Sequence, residues 1–238
     1  MLFPILSTGK PWEIILNILL TLPVIVCAIT LHEAAHAYAS FRLNDPTAKR
    51  CGRLTLNPLK HIDPIGCVWM LIFGFGWGKP IPIKPERFRD PQKGISLTAL
   101  AGVGANLSLG LVGCLLHAVF SYIYYTNFSF SGHGEILSIP MYAVTMLFYY
   151  TAVMNFTLVF YNLIPIPPFD GSKFFALILP QKAYAALKKY EGITLIIVFA
   201  LTFLLWRFLG YSPVARLAHL TNEIVSTPIK SLLSACFS

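Results

Sequence analysis

Charged residues are scarce in this chain of 238 residues. Asp, Glu, Lys and Arg together make up 12% of the sequence, whereas 56% of it is hydrophobic. A soluble domain of ordinary composition has about 25% charged residues. The low charge content, with a mean hydropathy of +0.67, is therefore not that of an ordinary soluble enzyme and predicts an integral membrane protein.

Cysteine is also sparse. The chain has five cysteines, an odd number, and none of them forms a CxxC pair. This pattern argues against a disulfide framework and against a cysteine-based metal site. The net charge of +8 comes from cations grouped between long apolar runs, so we expect a lipid bilayer as partner and no nucleic acid.

Four apolar runs are long enough to cross a bilayer, which needs about 20 mostly apolar residues. They are residues 14–40, 95–125, 140–164 and 193–209. The predicted fold class is an all-α integral membrane protein. Residues 65–77 are apolar but too short and glycine-rich to span, and they predict a re-entrant β-hairpin-like segment. A second short re-entrant element is expected after Asp170.

The distribution of Lys and Arg predicts the orientation. Ten of the eighteen lie between residues 42 and 93, none between 126 and 139, and four between 173 and 189. The positive-inside rule places the first and third of these stretches in the cytoplasm. We expect one domain over residues 1–210. Residues 211–238 form a tail that is either an amphipathic helix on the outer surface or loosely ordered.

The strongest chemical motif is HExxH at residues 32–36 within the first span. Side chains four residues apart share one helix face, so His32 and His36 can bind one zinc ion while Glu33 reaches an attacking water. Ionisable side chains inside a membrane helix are costly and mark functional sites. The apolar run therefore is not read as a cleavable signal peptide, since its removal would discard this motif.

Catalytic zinc usually takes three protein ligands and leaves one position for water. Asp170 is the best third ligand, because it follows the span that ends at residue 164 and lies at that span's cytoplasmic end. His32 and His36 lie roughly 9–15 Å before Arg42, where the basic stretch begins. The three side chains are thus predicted to meet near one membrane face.

A rival third ligand comes from Glu86 and Asp90, which have the ExxxD spacing of other HExxH membrane proteases. Here Pro85 and Pro91 bracket the pair, which disfavours a helical face. His61 and Asp63 stand where a cytoplasmic helix could start, and we expect a capping or fold-locking role for them.

Five motifs in a fixed order resemble the site-2 protease family, closest to its compact prokaryotic members. Besides HExxH they are Gly52-Arg53-Leu54-Thr55-Leu56-Asn57-Pro58 with His61-Ile62-Asp63-Pro64-Ile65-Gly66, Gly76-Trp77-Gly78-Lys79-Pro80-Ile81-Pro82-Ile83, Ala101-Gly102-x-x-x-Asn106, and the stretch 162–171 that ends in Asp170-Gly171. The resemblance covers about residues 14–185. Phe169 and Val103 depart from the usual Leu and Pro, and neither departure removes a ligand. No stretch is long enough for the PDZ or nucleotide-sensing domain of some relatives.

This resemblance implies a multi-pass protease of a prokaryotic inner or plasma membrane that cuts transmembrane protein substrates in or beside the bilayer. It implies one catalytic Zn²⁺ held by His32, His36 and Asp170, with Glu33 as the general base. The alternative is a non-proteolytic zinc-binding membrane scaffold or transporter component, although a scaffold has no need of Glu33.

Substrate-binding residues are predicted in two places. Pro80 and Pro82 remove the N–H groups from one edge of a strand over residues 78–84, so Ile81 and Ile83 can pair with an added substrate strand. The alternative is a plain turn. Asn162 and Asn106 carry amides suited to a bound backbone and belong to family motifs near the site, although asparagine also joins membrane helices to each other.

Overall fold

The computed structural model describes residues 11–73, 76–127, 135–175, 187–210 and 212–237. These residues form eight named helices, with short 3₁₀ turns at Pro58–Lys60 and Pro85–Arg87. The helices are α1 (Pro11–Arg42), α2 (Thr47–Arg50), α3 (Pro64–Phe73), α4 (Pro91–Asn127), α5 (Glu135–Asn162), α6 (Asp170–Phe175), α7 (Glu191–Leu209) and α8 (Pro213–Phe237).

The four predicted spans are confirmed. Four helical segments are long and apolar enough to cross a bilayer, and they lie in α1, α4, α5 and α7. Their bounds are Ile14–Arg42, Pro91–Asn127, Ser138–Asn162 and Glu191–Leu209. The protein is therefore a membrane protein of the all-α class.

The predicted β-hairpin-like segment is wrong. Residues 65–73 of that segment belong to helix α3, and the described part of the chain contains no β-strand, only a single antiparallel bridge between Ile62 and Gly78. The helix begins because the Asp63 carboxylate accepts hydrogen bonds from the N–H groups of Ile65 (2.9 Å) and Gly66 (3.0 Å). Pro64 at its first position needs no intrahelical partner. Within segment 78–84, Gly78 forms that bridge and Lys84 has an extended backbone, and no β-strand of the described ranges pairs with the residues between them.

The element predicted after Asp170 begins as helix α6, and its continuation lies outside the described residues until residue 187. The core of the molecule lies where α1, α3 and α5 meet. Val24, Ile25 and Ile29 of α1 are buried there against Met70 of α3 and Leu158 of α5.

Glycines bring α4 and α5 close together. A Cβ atom added at Gly113 would lie 2.8 Å from the backbone nitrogen of Ala152, and one added at Gly110 would lie 2.8 Å from the Phe156 ring. Small residues at such crossings let two membrane helices pack backbone to backbone. This packing fixes α4 and α5 as the frame against which α1 lies.

Helix α8 packs on α4 and α5 through one face, with Ala218, Asn222 and Ser226 buried. The Tyr149 hydroxyl and the His219 Nδ1 atom of this interface are 2.7 Å apart. The position of α8 on the outer membrane surface stays a prediction. Helix α7 has no buried residue, and its Phe199 contacts the Trp69 ring with centroids 4.8 Å apart.

Candidate metal centre

Three predicted ligands meet at one point. The Nε2 atoms of His32 and His36, one turn apart on α1, lie 3.0 Å from each other. Asp170, the first residue of α6, places its Oδ2 atom 3.1 Å from the Nε2 of His32 and 2.9 Å from that of His36. All three side chains are buried, and they form the group of metal-binding side chains found in the described ranges.

This donor set fits a zinc ion. A tetrahedral zinc with bonds of 2.0–2.2 Å needs ligand atoms about 3.3 Å apart, close to the spacings found here. The Nδ1 atom of His36 lies 2.7 Å from the carbonyl oxygen of Thr98 on α4. A proton on Nδ1 would be donated to that carbonyl, which leaves Nε2 free for a metal, as an outer partner does in zinc proteins.

Lys173 fixes the other side of the Asp170 carboxylate. Its Nζ atom donates to Oδ1 of Asp170 at 2.7 Å, so Oδ2 alone faces the two histidines. Burial by itself would raise the pKa of the Asp170 carboxyl, but nearby His36 and Lys173 and the hydrogen bonds of both histidines hold that pKa well below its usual range. These neighbours favour the ionised carboxylate, which is the form that binds a metal.

Gly102 of α4 gives the histidines their room. A Cβ atom at this position would lie 2.4 Å from Cε1 and 2.5 Å from Nε2 of His36, and 2.8 Å from Cε1 of His32. Carbon atoms do not approach that closely, so α4 can lie against the two imidazoles only because residue 102 has no side chain.

We expect Gly102→Ala to weaken zinc binding by at least about tenfold, because the new methyl group must displace a ligand or move the helix. The matched control is Gly104→Ala on the same helix, where an added Cβ meets no atom within 4 Å. Titration with a fluorescent zinc chelator would measure both affinities. Equal affinities in the two variants would contradict the close fit at Gly102.

The three ligands and Glu33 line one cavity of about 370 Å³. Most of its remaining wall is apolar, formed by Ile29, Met70, Trp77, Leu158, Phe169 and Leu195. Glu33 is 8% exposed, and its Oε2 atom has no hydrogen-bond partner within the part of the chain that the structure describes. A carboxylate oxygen is thus available to a polar group that enters the cavity.

The predicted substrate-binding residues fall into two groups. Ile81, Ile83 and Asn162 line the same cavity as the ligands. Asn106 is fully buried and is not among the lining residues, and neither atom of its amide has a partner in the described ranges. The rival ligand Glu86 is exposed in the turn Pro85–Arg87 and is not in the metal-binding group.

Sequence reasoning missed three contributors to the site. Thr98 contacts His36 through its backbone carbonyl, so the identity of residue 98 does not indicate the contact. Lys173 entered the sequence analysis only as one of the basic residues of stretch 173–189, whereas its side chain donates to Asp170. Gly78 passes so close to Glu33 that an added Cβ would lie 3.0 Å from its Oε1. The glycine at position 78 of the Gly76-Trp77-Gly78 motif is the sequence feature that could have indicated this last contact.

Two histidines and a glutamate on a membrane-spanning helix, completed by an aspartate from a distant helix, have the arrangement expected of a zinc metalloprotease site. Known proteins agree. The chain is 32% identical over 197 residues to "Putative zinc metalloprotease YwhC" of Bacillus subtilis (strain 168), covering 78% of this chain and 84% of that protein. It is 26% identical over 175 residues to "Putative zinc metalloprotease Rip2" of Mycolicibacterium smegmatis, covering 69% of this chain and 59% of that protein.

The chain therefore belongs to the site-2 protease family, and it is a membrane metalloprotease. No protein-family model matches it, and no solved structure matches it.

Proposed function

We propose that this protein is an intramembrane zinc metalloprotease that hydrolyses peptide bonds in or near the transmembrane segments of other membrane proteins. The observation that carries the proposal is the convergence of His32, His36 and Asp170 with Glu33 in one cavity between membrane-spanning helices. A non-proteolytic scaffold would not need a buried carboxylate with an unpaired oxygen beside the metal ligands.

Zinc, when bound, acts as a Lewis acid that polarises the scissile carbonyl and favours deprotonation of the attacking water. Glu33 accepts the proton of that water at a carboxylate oxygen, and the water oxygen forms the new bond to the carbonyl carbon. Glu33 then donates the proton to the leaving nitrogen as the peptide C–N bond breaks. Lys173 and Thr98 hold Asp170 and His36 in place throughout.

A substrate helix must unwind before its peptide bonds can be attacked, because each N–H and C=O is used in the helix. Ile81 and Ile83 line the cavity, and their N–H groups have no partner in the described ranges. We infer that these groups bind the unwound substrate as an added strand. Asn162 lines the same cavity and supplies an amide for the substrate backbone.

Replacing Ile83 by proline removes one N–H from the paired edge and should lower kcat/KM at least about tenfold, since a hydrogen bond to a buried partner is lost. Ile83→Ala, which keeps the N–H and shortens only the side chain, is the control. Cleavage of a single-span substrate would be followed in liposomes. Unchanged cleavage by a folded Ile83→Pro protein would count against strand addition.

We also propose that the active site opens toward the cytoplasm of a prokaryotic cell. Both histidines lie in the last third of α1, and the basic stretch 42–93 follows that end of the helix. Basic loops remain on the cytoplasmic side.

The proposed activity is tested with purified protein reconstituted in liposomes with a panel of single-span substrates. Mass spectrometry of the products should place the cut within or next to the substrate's membrane segment, and removal of zinc by a chelator should stop it. Cuts confined to soluble loops far from the membrane would contradict intramembrane cleavage.

A further inference from the structure

Two buried charges on either side of α2 are not among the metal-binding side chains. Asp45 is 0% exposed and Arg53 is 9% exposed, and neither forms an ion pair within the described ranges. Burying an unpaired charge is costly, so such groups are kept where they bind something specific. Both side chains bind backbone groups of the same distant segment.

The bonds lie at the two ends of segment 79–84. One guanidinium N–H of Arg53 donates to the carbonyl oxygen of Lys79, whose own N–H donates to the His61 carbonyl at 2.7 Å. At the other end, Oδ2 of Asp45 accepts the N–H of Lys84 at 2.8 Å. The second oxygen of Asp45 is held by the N–H (3.0 Å) and hydroxyl of Thr47.

The residues between these two bonds are left open. Pro80 and Pro82 have no N–H, and the N–H and C=O groups of Ile81 and Ile83 have no hydrogen-bond partner in the described ranges. Both isoleucines line the cavity of the metal centre. The segment is thus fixed at its ends and free in its middle, where it faces the site.

The sequence places both charges by the same local device. Asn44 (φ 73°) and Gly52 (φ 65°) are left-handed residues that end α1 and α2. The next residue donates back across each helix end: the N–H of Asp45 bonds the Ser40 carbonyl and that of Arg53 the Ala48 carbonyl, both at 2.9 Å. This is the Schellman arrangement, which reverses the chain after a helix. Each buried charge directly follows such a reversal.

We propose that Asp45 and Arg53 are positioning residues that fix the register in which a substrate strand lies across the cavity, and therefore which bond is cut. The inference rests on the proposed proteolytic function. A segment held at both ends offers Ile81 and Ile83 at fixed distances from Glu33, and the close approach of Gly78 to Glu33 ties the same segment to the reacting groups. Slippage of a strand by two residues keeps its face but shifts the bond presented.

The test compares cut positions in wild type, Asp45→Asn and Arg53→Lys. Asparagine has one side-chain oxygen, so it cannot serve both Thr47 and Lys84, and lysine cannot reproduce the fork of arginine. We expect KM to rise about tenfold, since charge-assisted hydrogen bonds are lost. The products should spread from one or two bonds to several, while bound zinc stays unchanged. Asp90→Asn, at an exposed acid, is the control and should cut as wild type does.

A second readout needs no activity. Glu33→Gln protein is mixed with a substrate that carries a photo-crosslinking residue at successive positions, and crosslinks to residues 78–84 are mapped. Glu33→Gln protein with no further change should give crosslinks at alternate substrate positions. Adding Asp45→Asn or Arg53→Lys to this protein should spread the crosslinks over neighbouring positions. Folded variants that keep the wild-type cut positions and crosslinks would overturn the positioning role.

The design separates this inference from the proposed function. If wild type cuts no substrate, the proposed function fails, and the crosslink pattern alone then decides on Asp45 and Arg53. If Asp45→Asn and Arg53→Lys do not fold, Thr47→Val decides, because it removes only the hydroxyl that holds Asp45. A smaller shift of the same kind supports the inference, and an unchanged pattern contradicts it.

Discussion

Glu33→Gln should lower the rate of peptide cleavage by about 10²–10⁴-fold while the protein keeps its zinc. Glutamine has nearly the shape of glutamate but cannot accept the proton of the attacking water. The proposed ligands His32, His36 and Asp170 are untouched, so the metal should remain. The measurement pairs the cleavage rate in liposomes with the zinc content of the same samples.

The control for this variant is Glu191→Gln, an exposed glutamate at the start of α7 that is not among the cavity residues. It should cleave at the wild-type rate. A Glu33→Gln protein that cleaves nearly as fast as wild type would refute the role of Glu33 as general base. Retained zinc without cleavage by the wild type would instead favour a non-proteolytic zinc-binding protein.

Asp170→Ala should lose zinc and activity together. The variant removes one of three proposed ligands and leaves two buried imidazoles without the carboxylate that both contact, at 3.1 and 2.9 Å. Loss of an outer partner of a zinc ligand already costs roughly 10–100-fold in affinity, so loss of a ligand itself should exceed that. Zinc content after dialysis against a weak chelator would show the effect.

Glu86→Ala is the matched control, since Glu86 is the acidic residue that the sequence offers as a rival third ligand. Its side chain is exposed in the turn Pro85–Arg87, and we expect normal zinc content after its removal. Zinc retained by Asp170→Ala but lost from Glu86→Ala would reverse the assignment of the third ligand.

Much of this architecture was predictable because it is determined by long apolar runs and by the spacing of single residues. Length and hydropathy suffice to find four membrane helices, and a four-residue spacing suffices to put His32 and His36 on one face. Asp170 could be chosen because topology brings the end of the third span to the same membrane side as the histidines. These inferences need only local pattern and the alternation of sides.

The errors arose where a short apolar run allows two structures. Residues 65–77 are compatible with either a buried strand or a short helix, and periodicity cannot separate the two. The cap formed by Asp63 and the proline at position 64 favour the helical structure, which is helix α3. The hairpin prediction also did not explain the glycine at position 66. An added Cβ there would lie 2.1 Å from the carbonyl oxygen of Trp77, where the chain after α3 crosses that helix.

Other contacts were beyond the sequence because they join distant residues through the backbone. Nothing in the identity of Lys79, Lys84 or Thr98 shows that their main-chain groups bind Arg53, Asp45 and His36. Asn106 has an amide that looks suited to a substrate, yet the structure buries it outside the lining of the cavity.

The two left-handed helix ends make surface positions sensitive in an unexpected way. Asn44 and Gly52 are exposed, and an added Cβ at Gly52 would touch no atom within 4 Å. Measured by contacts alone, Gly52 would be rated freely variable. The backbone conformation instead decides which substitutions it tolerates, because residues other than glycine, asparagine and aspartate are energetically disfavoured at a positive φ. A map of tolerated substitutions based only on distance from the metal site would therefore miss the sensitivity of Asn44 and Gly52.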